Sequence, residues 1–258
     1  MQHIASVKNP AVVAAKALLR KQAREESGLF LCDGEHMVLE ALNAAGQTVQ
    51  TLFVEESRIA DFEPLLRRYA VPEVYAVPPQ VMESLSQVKT PQGVAAVARI
   101  PAQATLDRLG ERLVLLENVQ DPGNVGTILR TADAAGFHGC VLTPGCADPF
   151  SPKTLRATMG SVFRVPTAAA QSASWAANAL RERGYALLAA ELNGEDFYQR
   201  AALPQKLCLM IGNEGAGLTP EAVAAATHRY RLPMRGGAES LNAAIAAAVF
   251  MFDLANRG

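Results

Sequence analysis

The sequence predicts an α/β protein whose C-terminal part is a mostly parallel sheet with helices on both faces. Apolar runs without polar alternation, such as 113–116 and 207–211, are typical of strands that are buried on both faces. Helical segments separate most of these runs, as parallel strands require. Polar, glycine-containing corners directly follow three apolar runs, and in such sheets ligands bind at the carboxyl ends of strands.

Length and composition predict two domains. The chain has 258 residues and is 50% hydrophobic, enough for a sizeable core in one large or two ordinary domains. Residues 100–111 hold no strong hydrophobic period, and a new apolar strand follows them. We therefore predict a small α/β domain over 1–99, a linker over 100–111 and a second domain over 112–258.

The first domain should alternate helices and strands. A first helix over 10–27 should stop at Gly28, and a helix over Glu35 to Ala45 should close at Gly46. Further strands and helices follow from short apolar runs and from helical spacing. The predicted strands are 30–32, 49–54, 74–77 and 93–98, and the further predicted helices are 59–69 and 79–85.

The second domain contains six predicted strands, most of them separated by helices. They are 113–116, 139–142, 162–165, 185–190, 207–211 and 230–232. Pattern alone suggests a nucleotide-binding fold, but the GxGxxG loop is missing, because the glycines in 123–126 have the wrong spacing. No acidic residue suited to a ribose hydroxyl follows the strand at 139–142. A dinucleotide-dependent oxidoreductase is therefore disfavoured.

Charge and cysteine usage narrow the class of protein. The formal net charge is -1, which argues mildly against nucleic-acid binding, although a balanced total can conceal local basic patches. The four cysteines form no CxxC pair and resemble small buried hydrophobes, and the four histidines show no metal-ligand spacing. We expect no metal site.

The start of the chain and its longest apolar run predict a cytoplasmic protein. Residues 1–10 lack a cationic start followed by an apolar core, and the run 243–252 is too short to span a bilayer.

Three polar-glycine corners organise the second domain: 121–137, 211–221 and 231–253. In the third corner, a strand ends near Pro233 and glycines allow a tight turn or close ligand approach. Ser240 or Glu239 should cap a helix that begins at Leu241. An ordinary buried C-terminal helix is the alternative interpretation of this stretch.

These corners resemble the motifs of the SpoU, or TrmH, family of RNA ribose methyltransferases. One such loop would be weak support, whereas three in order are strong. The first motif is Asn124 with Arg130, the second is 212–215, and the third is 232–234 with 240–242. Residues 155–161 add a fourth similarity. Residues 31–34 and 90–94 resemble the small substrate-binding domain of the same enzymes.

The resemblance implies a fold, a cofactor and site residues. The fold would include a C-terminal trefoil knot, which general folding rules would not propose. The cofactor would be S-adenosylmethionine. The implied catalytic residues are Asn124, Arg130, Glu214, Ser240 and Asn242; the implied cofactor contacts are Gly212, Leu232, Leu241, Ile211, Asn213 and Met234; and the implied RNA contacts are Arg130 and Arg156.

Arg130 and Asn124 lie about 120° apart if both are on one helix. We therefore expect Asn124 in the turn before the helix, and Arg130 reaching inward from the helix to a phosphate or ribose. Pairing of Arg130 with Asp133 is the alternative. A family proposal makes this arginine a base, but arginine stays protonated at accessible pH, so an electrostatic role fits better. Glu214 could instead serve only to hold its loop.

The predicted activity is methyl transfer to a ribose 2′-hydroxyl of structured RNA. Ribosomal RNA is favoured over transfer RNA because the resemblance extends to a separate substrate-binding domain. A cofactor-binding RNA-binding protein without catalysis is a different class of hypothesis. The apolar stretch 241–254 also predicts a homodimer through the second domain.

Overall fold

A computed structural model of the chain describes residues 1–44 and 49–257. Strands and helices are numbered along the chain. The strands are β1 (Gln2–His3), β2 (Leu29–Asp33), β3 (Val49–Glu55), β4 (Glu73–Val77), β5 (Val94–Arg99), β6 (Arg112–Leu116), β7 (Gly139–Leu142), β8 (Thr167–Ala169), β9 (Ala186–Asp196), β10 (Leu207–Ile211) and β11 (His228–Arg231). The helices are α1 (Pro10–Ala17), α2 (Lys21–Ser27), α3 (Glu35–Asn43), α4 (Ile59–Arg68), α5 (Pro79–Leu85), α6 (Pro122–Ala134), α7 (Pro152–Thr158), α8 (Ala173–Glu182), α9 (Pro220–Ala225) and α10 (Ala243–Arg257).

Packing divides the chain into two compact units. The first contains Met1–Ala102 and Phe150–Phe163, and the second contains Gln103–Pro149 and Arg164–Gly258. The sequence assigned residues 150–163 to the second domain, but they pack within the first unit. The rings of Phe150 and Phe163 lie 5.1 and 6.0 Å from the ring of Phe30, so aromatic contacts hold this segment there.

The first unit is built on a mixed sheet with the strand order β1-β4-β3-β5-β2. Consecutive strand residues point to opposite faces, so each face has its own core. Phe30 and Cys32 of β2 pack with α3 and α4, whereas Leu31 packs with α1 and α5. This layered α/β arrangement agrees with the sequence prediction for the first domain.

The second unit is a parallel sheet with the strand order β11-β9-β10-β6-β7-β8. α6 and α10 pack on one face, and α8 and α9 pack on the other. The predicted α/β class with helices on both faces is confirmed, while the trefoil knot stays a prediction. Because the strands are parallel, the loops that follow β6, β10 and β11 lie at one edge of the sheet.

Two predicted elements are wrong for local reasons. The helix predicted over 10–27 is two helices, since α1 ends at Ala17 and α2 begins at Lys21. The buried guanidinium of Arg24 donates Nη1 hydrogen bonds to the carbonyls of Leu18 (2.8 Å) and Leu19 (3.1 Å) in the break between them. The strand predicted over 162–165 is a 3-10 turn that follows left-handed backbone at Met159 and Gly160.

Other predicted boundaries agree closely with the structure, including 79–85, 139–142 and 207–211. The predicted ends of the third helix at Ala45 and Gly46 lie outside the described residues. Among the helices within 1–44 and 49–257, none combines the length and the apolar composition needed to cross a bilayer.

Candidate active site

Hydrogen bonds join the loops at the ends of β6 and β10. The backbone N–H of Glu117, the residue after β6, donates to the carbonyl of Ile211, the last residue of β10, at 2.9 Å. The buried Glu117 carboxylate accepts hydrogen bonds from the Thr219 backbone N–H (2.8 Å) and from its hydroxyl (2.9 Å). Sequence reasoning missed Glu117, although an acidic residue directly after an apolar strand could have indicated it.

Asn118 has a left-handed backbone conformation with φ 53°, which is uncommon for a residue other than glycine. Its carbonyl accepts a hydrogen bond from the Asn213 side-chain Nδ2 at 2.8 Å, and its N–H donates to the Thr143 hydroxyl at 3.0 Å. These bonds hold a backbone conformation of the kind that often occurs at functional sites.

Asn124 lies within the first turn of α6, so the prediction that it precedes the helix is wrong. The helix begins earlier because the Asp121 carboxylate is its N-cap and accepts a hydrogen bond from the Asn124 backbone N–H at 3.0 Å. The Asn124 side chain is buried.

Glu214, Asn124 and Asn242 connect the three predicted motifs. The Asn124 Nδ2 donates to Glu214 Oε1 at 2.9 Å, and the Asn242 Nδ2 donates to Asn124 Oδ1 at 2.9 Å. The Glu214 carboxylate also accepts backbone N–H bonds from Gln120 (3.2 Å) and Asp121 (3.1 Å). One continuous chain of hydrogen bonds thus orients all three loops.

These bonds determine the ionisation of Glu214. Burial raises its pKa, but hydrogen bonds from the Asn124 amide and from the backbone N–H groups of 214, 121 and 120 outweigh that effect. The pKa of Glu214 therefore lies below its ordinary value of 4.5, and the side chain is an acceptor at neutral pH.

Asn242, and neither Ser240 nor Glu239, caps the C-terminal helix. Its Oδ1 accepts hydrogen bonds from the backbone N–H groups of Ala244 (2.9 Å) and Ile245 (3.3 Å). α10 accordingly begins at Ala243, two residues later than predicted. One side chain therefore both starts this helix and orients Asn124.

Gly212 and Asn213 shape the second loop. A Cβ on Gly212 would lie only 2.1 Å from the Gly217 carbonyl carbon and 2.2 Å from the Leu218 nitrogen, so the loop needs glycine for its own closure. Asn213 Oδ1 accepts the N–H groups of Gly215 and Ala216, both at 3.0 Å. These contacts fix the backbone conformation of the second loop.

A cavity of about 380 Å³ opens between the second and third motifs. All six predicted cofactor contacts line it, together with Glu214 and Ser240. Its apolar side chains, Ile211, Leu232 and Leu241, can pack against a base, while the glycine loop offers backbone groups to a polar ligand. Size and lining both fit an adenosyl cofactor.

Arg130 lies apart from this lining, on an exposed position of α6. Within the part of the chain that the structure describes, no residue forms a hydrogen bond or ion pair with its guanidinium. The alternative pairing with Asp133 is not observed, because Asp133 binds Arg164, with Nε to Oδ2 at 2.8 Å. Arg130 is therefore available to a partner other than this chain.

Arg156 lies in the first unit, on α7. Its Nη1 is 3.8 Å from Asp33 Oδ1, and Asp33 also accepts a hydrogen bond from the Ser86 hydroxyl. The predicted phosphate contact thus competes with an ion pair inside the unit.

Sequence reasoning missed Glu191 and Asn193, which also line the cavity. They lie on β9 where its pairing with β11 is interrupted, since Ala189 pairs with Arg229 and Glu195 with Tyr230. An interruption of this kind leaves no periodic signal in the sequence.

The parallel α/β fold and this cavity define a class of nucleoside-cofactor enzymes. Residues 111–252 match the model of the SpoU rRNA methylase family, and residues 9–96 match that of the MRM3-like substrate binding domain. The chain belongs to the SpoU rRNA methylase family and is a methyltransferase.

Similar proteins match this chain over nearly its whole length. The 23S rRNA (guanosine(2553)-2′-O)-methyltransferase RlmP of Bacillus subtilis is 35% identical over 98% of this chain and 99% of its own length. The structure of the SpoU methyltransferase AviRb of Streptomyces viridochromogenes, in complex with AdoMet, has a TM-score of 0.85 and 30% identity over 96% of this chain and 98% of that one.

A third similar protein is an AdoMet-bound rRNA methyltransferase from Sinorhizobium meliloti. Its structure has a TM-score of 0.84 and 32% identity, covering 99% of this chain and 97% of that chain. The predicted family and the predicted cofactor, S-adenosylmethionine, are confirmed by these matches. The roles of the individual site residues stay predictions.

Proposed function

We propose that this enzyme methylates a ribose 2′-hydroxyl of 23S ribosomal RNA. The observation that carries the proposal is the hydrogen-bonded chain Glu214–Asn124–Asn242, which joins three loops beside the cavity and leaves Arg130 unpaired among the described residues. The named activities of the relatives support the same reaction. Their match to both units favours ribosomal over transfer RNA, which remains the alternative substrate.

S-adenosylmethionine supplies an electrophilic methyl group. In the proposed mechanism, the chain's own residues position this group and the ribose hydroxyl. Ile211, Leu232 and Leu241 would pack against the adenine, and the loop at Gly212 and Asn213 together with Met234 would complete the wall of the cofactor site. Such positioning needs stable loops, and the bonds of Glu214 and Asn242 stabilise them.

Arg130 acts on the RNA side of the reaction. Its guanidinium remains charged, so it orients the ribose-phosphate and stabilises negative charge that develops on the 2′-oxygen. A phosphate oxygen of the RNA accepts the hydroxyl proton. Ser240 lines the cavity and holds the third loop near the reacting groups.

The first unit recognises the RNA substrate in this proposal, and Arg156 contributes a phosphate contact. The match of residues 9–96 to a substrate-binding domain supports this role. The net charge of -1 means that RNA binding depends on local basic groups and on shape rather than on overall charge. A cytoplasmic location is part of the same proposal.

A homodimer through the second unit is also proposed. Leu241, Ile245 and Phe252 are 39%, 51% and 46% exposed, and the last two are seven residues apart, so they share one face of α10. An exposed apolar face beside the cavity fits a second copy of the chain.

The deciding experiment is transfer of labelled methyl groups to ribosomal RNA prepared without this enzyme. Nuclease digestion and mass spectrometry would then separate ribose from base products. A 2′-O-methylated nucleotide in 23S RNA supports the proposal. Methylation of a base, or of transfer RNA alone, would contradict it.

A further inference from the structure

Glu191 carries a buried carboxylate oxygen with no hydrogen-bond partner among residues 1–44 and 49–257. An unpartnered buried acceptor is costly, and native proteins rarely leave one without a reason. The same side chain lines the cavity between the second and third motifs. A ligand in that cavity could donate the missing hydrogen bond.

The backbone that carries Glu191 is built to place it there. Between Ala189 and Glu195, β9 leaves its pairing with β11 and resumes one β11 residue later. Interruptions of this kind re-aim side chains and are frequent next to active sites. Glu191 thus leaves the regular alternation of the strand.

Contacts at Gly194 fix the end of this interruption. A Cβ on Gly194 would lie 2.6 Å from the Tyr230 nitrogen, so only glycine allows β11 to approach this closely. The Gly194 carbonyl also accepts a hydrogen bond from Arg231 Nη1 at 3.1 Å. These contacts fix the backbone at the end of the interruption and so limit where the Glu191 side chain can lie.

We propose that the Glu191 carboxylate accepts hydrogen bonds from the ribose hydroxyls of S-adenosylmethionine. β9 neighbours β10, whose end at Ile211 and Gly212 lines the part of the cavity suited to adenine. The ribose is bonded directly to adenine, so a base held at the end of β10 brings the ribose within reach of the neighbouring strand β9. Two neighbouring hydroxyl donors also match a carboxylate, as in other parallel α/β folds that bind ribose.

Binding calorimetry tests the assignment with three ligands that keep or lack particular portions of the cofactor. They are S-adenosylhomocysteine, 5′-methylthioadenosine, which lacks the amino-acid portion, and the 2′,3′-dideoxy analogue of methylthioadenosine. Glu191→Gln should weaken the first two by the same factor, roughly tenfold or more, because it removes the charge from the acceptor. The dideoxy analogue should bind wild type and variant equally.

Glu195→Gln is the matched control, since Glu195 is an exposed glutamate on the same strand and does not line the cavity. It should leave all three affinities unchanged. Loss confined to S-adenosylhomocysteine would move Glu191 to the amino-acid end of the cofactor and overturn the assignment. Unchanged affinities in Glu191→Gln would overturn it as well.

Comparison of methylthioadenosine with its dideoxy analogue on the wild-type enzyme needs no variant. Equal affinities there would contradict the assignment even if a substitution disturbed the strand. The inference rests on the cofactor and not on the proposed RNA substrate. Failure of 23S RNA methylation with intact ribose discrimination would therefore refute only the proposed substrate.

Discussion

The guanidinium of Arg130 is exposed and has no hydrogen-bond or ion-pair partner within the described chain. α6 fixes its backbone, since Val125, Ile128 and Leu129 are fully buried on the opposite side of the helix. A rigid helix that presents a planar cation suits bidentate contact with a phosphate. This geometry supports the proposal that Arg130 serves the RNA and not the cofactor.

We expect Arg130→Ala to abolish methyl transfer while leaving cofactor binding nearly unchanged. Loss of one preorganised charged group should reduce the rate on the order of 10² or more. Arg130→Lys should also fail, because lysine keeps the charge and loses the planar geometry. Methyl incorporation into RNA and calorimetry with S-adenosylhomocysteine measure the two effects.

Arg181→Ala provides the control for that experiment. Arg181 is exposed on α8, which packs on the opposite face of the sheet from α6. Its removal should leave both measurements unchanged. Full activity of Arg130→Ala would contradict the role assigned to Arg130.

Glu214 predicts a pH dependence of stability. Its pKa is lowered in the folded protein, so the unfolded chain binds more protons as the pH falls past the ordinary value of 4.5. Its stabilising contribution is present above that pH and is lost as the pH falls through the lowered folded value. Glu214→Gln removes this contribution at neutral pH.

Urea denaturation at several pH values should show this directly. Wild type should exceed Glu214→Gln in stability at neutral pH, and the difference should shrink as the pH falls below the ordinary pKa of 4.5 and through the lowered folded value. A difference that stays constant across this range would mean that the carboxylate charge contributes nothing.

At the scale of elements, the second loop depends on backbone closeness more than on side chains. The clash of a Cβ at Gly212 is with backbone atoms of Gly217 and Leu218, which cannot rotate away. At Gly215 the nearest atom to a Cβ would be the Asn213 Oδ1, at an ordinary 3.7 Å. Two glycines three residues apart therefore have different reasons to be present.

Gly212→Ala should weaken S-adenosylhomocysteine binding by at least tenfold, because the loop must shift to admit the methyl group. Gly212→Ala should also lower the melting temperature, because the same shift disturbs the packing of the loop. Gly215→Ala should keep wild-type affinity. Equal behaviour of the two variants in calorimetry would exclude the backbone clash as the cause.

Much of this site follows from sequence because each motif comes directly after a strand of a parallel sheet. The resemblance to the SpoU family supplied the six predicted cofactor contacts, and all six line one cavity. Glu191 could not be predicted, since its position depends on an interruption of strand pairing. Asn242 was expected in the site, but its role as the helix cap depends on the path of the preceding loop.

At the scale of the whole molecule, α10 has two different faces. Ala247, Phe250, Met251 and Leu254 are buried in the core, whereas Ile245 and Phe252 are about half exposed. Burying such side chains against a second copy would contribute roughly 1.5 kcal/mol or more for each large residue. An interface there would lie beside Leu241, which lines the cavity.

We expect light scattering at micromolar concentration to give twice the chain mass of 27.4 kDa. The double variant Ile245→Glu and Phe252→Glu should give the monomer mass, because it places four like charges in a symmetric interface. Trp175→Glu is the control, since Trp175 is 44% exposed on α8, on the opposite face of the sheet, and its substitution should leave the dimer intact. A monomeric wild type would contradict the proposed dimer, whereas a dimer that survives the double variant would place the interface away from α10.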